Sequence, residues 1–344
     1  MPSKRLRLST DECAVIEDFR ESKKKHDALK QECEESGIPF EDVKYYWYKS
    51  EKFSMNVANT SVGMDSVILD ILKDIKKYSP KYPKITYPKS TDSHLLVIDP
   101  SDIHINKLAS AIETGEEYNH NIAIQRVLEA VKSLINKSKG FSIDKVLFVI
   151  GNDILHVDNP KNTTTGGTHQ DVSLMWYDAF KLGQKLLTDC IELLMQIAPV
   201  HVQYDPSNHD YTSGFFLAQT IEAWFNKASN ITFNISPMHR KYFRYHNNII
   251  GTTHGDGAKE SDLPLLMAHE SPDWSSCKHK YIYTHHIHHK KSRDYMGVTI
   301  ESMRSPSGPD SWHMKQGYVH APKAIECFLH HKDYGQIARF SHIF

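Results

Sequence analysis

The stretch Leu147-Phe-Val-Ile-Gly-Asn-Asp-Ile-Leu-His-Val-Asp-Asn159 decides the reading of this chain. It opens as an unbroken apolar run, the pattern of a strand buried on both faces. At Gly151 it breaks into polar residues that include Asp153, His156 and Asp158. A buried strand ending in carboxylate and imidazole marks the place where an α/β protein binds its ligand, beyond the carboxyl ends of the strands. Taken alone, Asp153 also reads as an ordinary turn or cap residue.

Working outward, the same design recurs. Leu95-Leu-Val-Ile98 runs into Asp99-Pro-Ser-Asp102-Ile-His104, and Val200-His-Val-Gln-Tyr204 runs into Asp205-Pro-Ser-Asn208-His209-Asp210. Ile249-Ile-Gly-Thr-Thr253 runs into His254-Gly-Asp256, and Tyr281-Ile-Tyr283 into Thr284-His-His286-Ile-His288-His289. Five apolar strands therefore end in Asp, Asn or His, which are hard or borderline metal ligands, with no Cys among them.

In order, Asp-x-His, Gly-Asn-Asp, Asn-His-Asp, His-Gly and His-x-His resemble the five signature blocks of the calcineurin-like metallophosphoesterases, over residues 94–290. The resemblance implies a four-layer α/β/β/α sandwich and two divalent metal ions. Manganese is the first expectation, with iron or zinc as alternatives, because mixed N/O sites accept several metals. Asp102, His104 and His288 would complete one metal site, Asn208, His254 and His286 the other, and Asp153 would bridge them. Such a pair neutralises the phosphoryl oxygens and activates the attacking water. His209 would be the general acid or a phosphate-binding group, oriented by a carboxylate such as Asp102 or Asp210. Three positions depart from the family pattern: Asn152 intervenes between Gly151 and Asp153, and Ser207 and His285 stand where Gly is usual. Those departures leave the geometry of three turns open.

Within the family, Asp153-Ile-Leu-His156-Val-Asp-Asn-Pro160 is similar to the Mre11/SbcD-type nucleases, which implies that His156 places the DNA strand or leaving group. The protein-phosphatase pattern, Asp-Arg-Gly after the second block and Asn-His-Glu in the third, is not present. The resemblance thus implies a dinuclear phosphodiesterase or nuclease with DNA as substrate. The alternatives are a nucleotide or small-molecule phosphodiesterase or phosphatase, and a nucleic-acid-binding scaffold with a secondary hydrolase domain.

Composition bounds these readings. The chain has 344 residues, 40% of them apolar, enough for a large core and more than one domain. A net charge of −1 gives no global basic field for nucleic acid, so polyanion contact must come from local patches. Five scattered cysteines without Cys-x-x-Cys read as reduced thiols in a cytoplasmic compartment, and the compact build with a helical front module suits an enzyme of a bacterial or phage-infected cell. No apolar run reaches the ~20 residues of a membrane span, and no secretory signal is visible.

Along the chain, residues 1–75 read as a helical module, with helices over 10–22 and 27–36, a third from Phe40 carrying Val43, Tyr46 and Trp47, and a fourth over 64–75. The spacing of Cys33, Gly37, Ile38 and Val43 matches a helix-turn-helix, which would turn Lys44, Tyr45, Tyr48 and Lys49 toward DNA. The other reading is a module for homodimer or partner-protein contact. Residues 76–92, with Pro80, Pro83 and Pro88, read as an extended, solvated linker. Residues 93–344 form the catalytic domain. Helices are expected over 119–137, 171–197 and 213–225, and strands over 231–236 and 240–253. Antiparallel strands over 295–303 and 323–340 are expected to form the second sheet. The polar loop 159–169 either borders a substrate groove or simply connects. Asp99 and Asp205 read as turn residues, and His169, His285 and His289 receive no role.

Overall fold

The computed structural model describes residues 29–37, 39, 43, 45–49, 54–58, 76, 77 and 79–344. The chain divides into two units, Met1–Asp74 and Ile75–Phe344. In the first, residues 29–35 are helical. Strands β1 (Tyr45–Lys49) and β2 (Ser54–Ala58) then pair as an antiparallel hairpin, Tyr45 opposite Ala58 and Lys49 opposite Ser54. This corrects the expected third helix and the helix-turn-helix built on it. Tyr45-Tyr-Trp-Tyr-Lys49 is a run of aromatic residues, which favour a pleated surface over a helix. The helices expected over 10–22 and 64–75 lie outside the described residues.

The second unit is built on two sheets. The first has six strands: β3 (His94–Ile98), β4 (Ile143–Gly151), β5 (Val200–Asp205) and β6 (Ile231–Asn234) run parallel, β12 (Ala324–His331) adds antiparallel to β3, and β13 (Gly335–Ile343) antiparallel to β12. The second has five, in the order β10 (Lys291–Tyr295), β11 (Val298–Ser302), β9 (His279–Thr284), β8 (Asn248–Thr253) and β7 (Lys241–Tyr245). The strands over 295–303 thus fall in the second sheet as expected. The pair over 323–340 does not: it joins the first, with Cys327 opposite Ile98 and His331 opposite His94.

The alternation within each strand explains the layers. In β3, Leu95 and Val97 face the second sheet and meet Leu147, Val149, Ile250, Tyr283 and Phe328. Leu96 and Ile98 face the other way, onto helices α2 (His120–Lys137), α3 (Trp176–Leu194) and α4 (Tyr211–Trp224), which follow the single turn α1 (Ala111–Thr114). Apolar residues on both faces are what an unbroken Leu-Leu-Val-Ile run supplies. Beyond the second sheet, Ile249, Ile282, Val298 and Ile300 pack with Leu263 and Met267 of α5 (Leu263–Glu270). The architecture is a four-layer α/β/β/α sandwich. The remaining short helix, α6 (Ser311–Gln316), lies between β11 and β12 in the chain. Among the described residues no helix is long and apolar enough to cross a membrane.

The segment read as a solvated linker is extended, as its prolines require, but it is packed. The Tyr82 ring stacks on Phe225 at 5.0 Å, and its hydroxyl donates to Glu192 at 2.8 Å. The Tyr87 hydroxyl donates to the Met195 carbonyl at 2.6 Å and accepts from Asn230. Lys227 donates to the Ser79 carbonyl at 3.0 Å. Residues 79–87 are therefore a strap over the ends of α3 and α4.

Candidate metal centre

The ends of β3, β4 and β5 do not splay apart. Backbone hydrogen bonds continue into the loops: Asp102 N donates to Asn152 O at 2.7 Å, His104 N to Asp153 O at 2.9 Å, and Asn152 N to Asp205 O at 3.1 Å. The side chains of these loops are thereby held in register and turned toward the ends of β8 and β9. The turning is local. Asp102, His104, Asn152, Asp153, His286 and His288 all lie at φ between 47° and 69°. They are six of the nine described non-glycine residues at positive φ. Left-handed backbone at non-glycine residues is uncommon, and such positions gather where function imposes them.

Two donor clusters result. Asp102, His104 and His288 each offer a ligand atom within 4.8 Å of the others, and so do Asp153, His254 and His286. Each cluster draws on both sheets: Asp102, His104 and Asp153 follow strands of the first, and His254, His286 and His288 strands of the second. Asn208 joins the second cluster, its Oδ1 lying 2.9 Å from His254 Nε2, which is 3.3 Å from Asp153 Oδ2. All seven residues read from the blocks as ligands therefore come together in these two groups. His209 lies beside them: its N–H donates to Asp153 Oδ1 at 3.0 Å, and its ring is 4.6 Å from that of His104.

The donor set fits divalent cations. Asp102 and Asp153 are both buried, and Asp102 Oδ1, sealed from solvent, lies 3.2 Å from His288 Nε2 without a well-aligned hydrogen bond. Burial would raise the Asp102 carboxyl, but His288 and His254 hold it below the usual carboxylate range. Burial would lower His254, but the Asp153 carboxylate raises it to about 9. Burial, with His209 and His156 nearby, keeps His104 neutral, the form in which imidazole ligates a metal. Buried carboxylates among imidazoles call for added positive charge, which a cation satisfies.

Around the clusters the structure assigns partners that the sequence did not reveal. Asp210 does not touch the His209 ring. Its carboxylate accepts from Leu155 N at 2.8 Å and Ser207 Oγ at 2.7 Å, while Ser207 Oγ accepts from Asp153 N at 2.8 Å. Asp210 thus fixes the loop that carries Asp153, and Ser207 supplies an acceptor that glycine would lack. Burial and the Asp153 charge push Asp210 up to about 7. Asp102 does not orient His209 either. His209 Nδ1 lies 2.9 Å from the His156 carbonyl, so Nδ1 carries the hydrogen and Nε2 is left for exchange. His156 itself is buried, with Nδ1 3.2 Å from His104 Nδ1. Asp99 is more than a turn residue: its carboxylate is 3.0 Å from His285 Nε2, and His285 N donates to His254 O. His285, at a position where glycine is usual, thus anchors the loop that carries His286.

His104, Asp153, His286 and His288 of the clusters line a cleft of about 550 Å³, together with His156, His209, Lys107 and Asp310. Thr168, His169, Gln170 and Asp171 border it, so the end of the polar loop does edge a groove. Lys107 is buried, its ammonium 3.0 Å from Asp310 Oδ2. Asp310 also caps α6 and holds His313, accepting from its N–H at 2.9 Å and lying 2.7 Å from its Nδ1. The spacing Pro309-Asp310-x-x-His313 is a visible helix start. That its cap would meet a buried lysine from residue 107 is a tertiary fact.

No family model matches the sequence, and no curated protein matches it. Solved structures do, at low identity. A novel archaeal phosphodiesterase is 9% identical, covering 73% of this chain and 99% of its own, with a TM-score of 0.34. The zinc complex of Vps29 from Entamoeba histolytica is 12% identical, covering 72% and 98%, at 0.31. A predicted phosphoesterase from Streptococcus pneumoniae is 12% identical, covering 73% and 97%, at 0.28. These likenesses are shallow, and none assigns an activity here.

Proposed function

We propose that this chain is a metal-dependent phosphodiesterase acting on nucleic-acid diesters, with DNA as the expected substrate and manganese as the expected metal. The observation that supports it most is the pair of three-residue donor clusters, five of whose six residues lie at positive φ, opening onto a cleft with His209 alongside. Asp102, His104 and His288 would hold one cation, and Asp153, His254, His286 and Asn208 the other, with Asp153 the carboxylate that would serve both. Bound there, divalent cations would neutralise the phosphoryl oxygens and acidify the attacking water. As the imidazolium, His209 contacts the phosphate or gives its Nε2 proton to the departing oxygen, while its Nδ1–H stays on the His156 carbonyl. His156, itself in the cleft lining, steadies the His104 ring through the 3.2 Å contact between their Nδ1 atoms. The buried free thiols Cys33, Cys190, Cys277 and Cys327 suit a reducing cytoplasm. With the recognition helix replaced by a hairpin, the N-terminal unit is better read as a site of protein contact or self-association than as a DNA reader.

The test is manganese-dependent hydrolysis of single- and double-stranded DNA beside bis(p-nitrophenyl) phosphate and p-nitrophenyl phosphate. We expect both diesters to be cleaved ahead of the monoester. His209→Ala should lower kcat by about 10²–10⁴ with bound metal unchanged. Equal activity of the variant would remove His209 from the mechanism. Cleavage of the small diester with none of DNA would select a nucleotide phosphodiesterase, a reading favoured by the confined aromatic cavity described next.

A further inference from the structure

Beside the cleft lies a second cavity of about 460 Å³. The two share His286, His288, Trp312 and His313 in their linings, so the second cavity adjoins two of the candidate metal ligands. Trp312 and Tyr318 face each other there with ring centroids 5.8 Å apart and planes at 44°. They are 57% and 63% exposed. Large rings left open to solvent beside a polar centre form the kind of surface that marks a binding site.

The local structure holds this ring pair in place. Asp310 caps α6, and Lys107, in the floor of the first cleft, grips the same carboxylate. Gly317, at φ 79°, ends the helix and turns the chain so that Tyr318 N donates back to His313 O at 2.9 Å. The rim carries Lys323 and His320, and no carboxylate lines the cavity. An anionic group is therefore not repelled, and the volume suits one ring-bearing group, not a folded partner.

We propose that this cavity takes the nucleobase of a nucleoside whose phosphate sits on the donor clusters, with Trp312 and Tyr318 as its stacking partners. This rests on the phosphodiesterase reading and gives it a substrate class. Stacking uses the face that every base has, so the cavity favours nucleosides over alkyl groups without choosing among bases.

The experiment is calorimetric titration of the manganese-loaded full chain with thymidine 5′-monophosphate, methyl phosphate and thymidine. Wild type is expected to bind the nucleotide about tenfold tighter than methyl phosphate. That ratio should fall to near one in Trp312→Ala and persist in Trp312→Phe. A wild-type ratio of one, or an undiminished ratio in Trp312→Ala, overturns the assignment while methyl phosphate binding leaves the phosphoester reading standing. Thymidine bound in a Trp312-dependent way, with methyl phosphate unbound, does the reverse. Should Trp312→Ala fail to bind methyl phosphate as well, Trp312→Phe decides. A preserved ratio there supports the cavity, and a ratio of one rejects it.

Discussion

At Gly151 the chain runs at φ 93°, and a Cβ would lie 2.0 Å from the Asp205 carbonyl oxygen, which itself accepts from Asn152 N. Neither the conformation nor the space admits a side chain. Gly151→Ala should destabilise the protein by about 2–3 kcal/mol and lower metal affinity, because the loop carrying Asp153 must shift. A urea midpoint and metal content equal to wild type would refute this. The donors were legible in the sequence because each ends an apolar run, and a polar residue at that point has little other work to do. What sequence could not supply was direction. Asp210 stands next to His209 in the chain, yet its carboxylate turns to Ser207 and Leu155. Lys107 reads as a surface lysine until a carboxylate from residue 310 covers it.

Among elements, strand alternation and proline content were readable and partnership was not. The segment Ala324–His331 alternates cleanly, with Ile325, Cys327 and Leu329 on one face, but alternation does not say which sheet edge receives the strand. Pairing with β3, more than two hundred residues earlier, is decided by long-range packing. For Tyr45–Lys49 a spacing match competed with aromatic β propensity, and propensity prevailed. The strap shows the same limit, since prolines fix its extended path while its tyrosines choose its neighbours. A chain beginning at Ile75 should therefore fold with the stability of the full domain. One beginning at Thr91 should lose about 3 kcal/mol or more, because Tyr82, Ile85 and Tyr87 no longer cover the first core. Equal melting of the two would return the segment to a linker.

For the whole molecule, the four layers were expected from the blocks, but the mixed character of the space between the sheets was not. Part of it is apolar, around Leu95, Val97 and Phe328. Against Phe328, Arg339 lies with its guanidinium 5.2 Å from the ring and pairs with Glu301 and Glu326, with Arg304 also on Glu326 at 2.8 Å. His330 sits in the same space with Nε2 2.8 Å from Tyr283 Oη, which itself donates to Gln336 at 3.0 Å. His330 Nδ1 has no partner. Burial, with a smaller effect from His279, pushes this imidazole down to about 3. Unfolded, it titrates near 6.5, so below that pH the unfolded chain binds the proton and the folded chain refuses it. Stability should fall as pH drops from about 6.5 to 3, by roughly 1 kcal/mol per unit from this group. In denaturant titrations, His330→Gln should flatten that slope, and a slope unchanged in the variant would place the acid sensitivity elsewhere.

Each donor cluster takes residues from both sheets, so a cation bound there acts as a rivet across the open edge of the sandwich. Were both clusters filled, the spacing of their ions would be a property of how the sheets are clasped, not of any single loop. Melting temperature should rise with manganese concentration and fall with a chelator. In hydrogen exchange, the ends of β8 and β9 should loosen before the helices on the first sheet do.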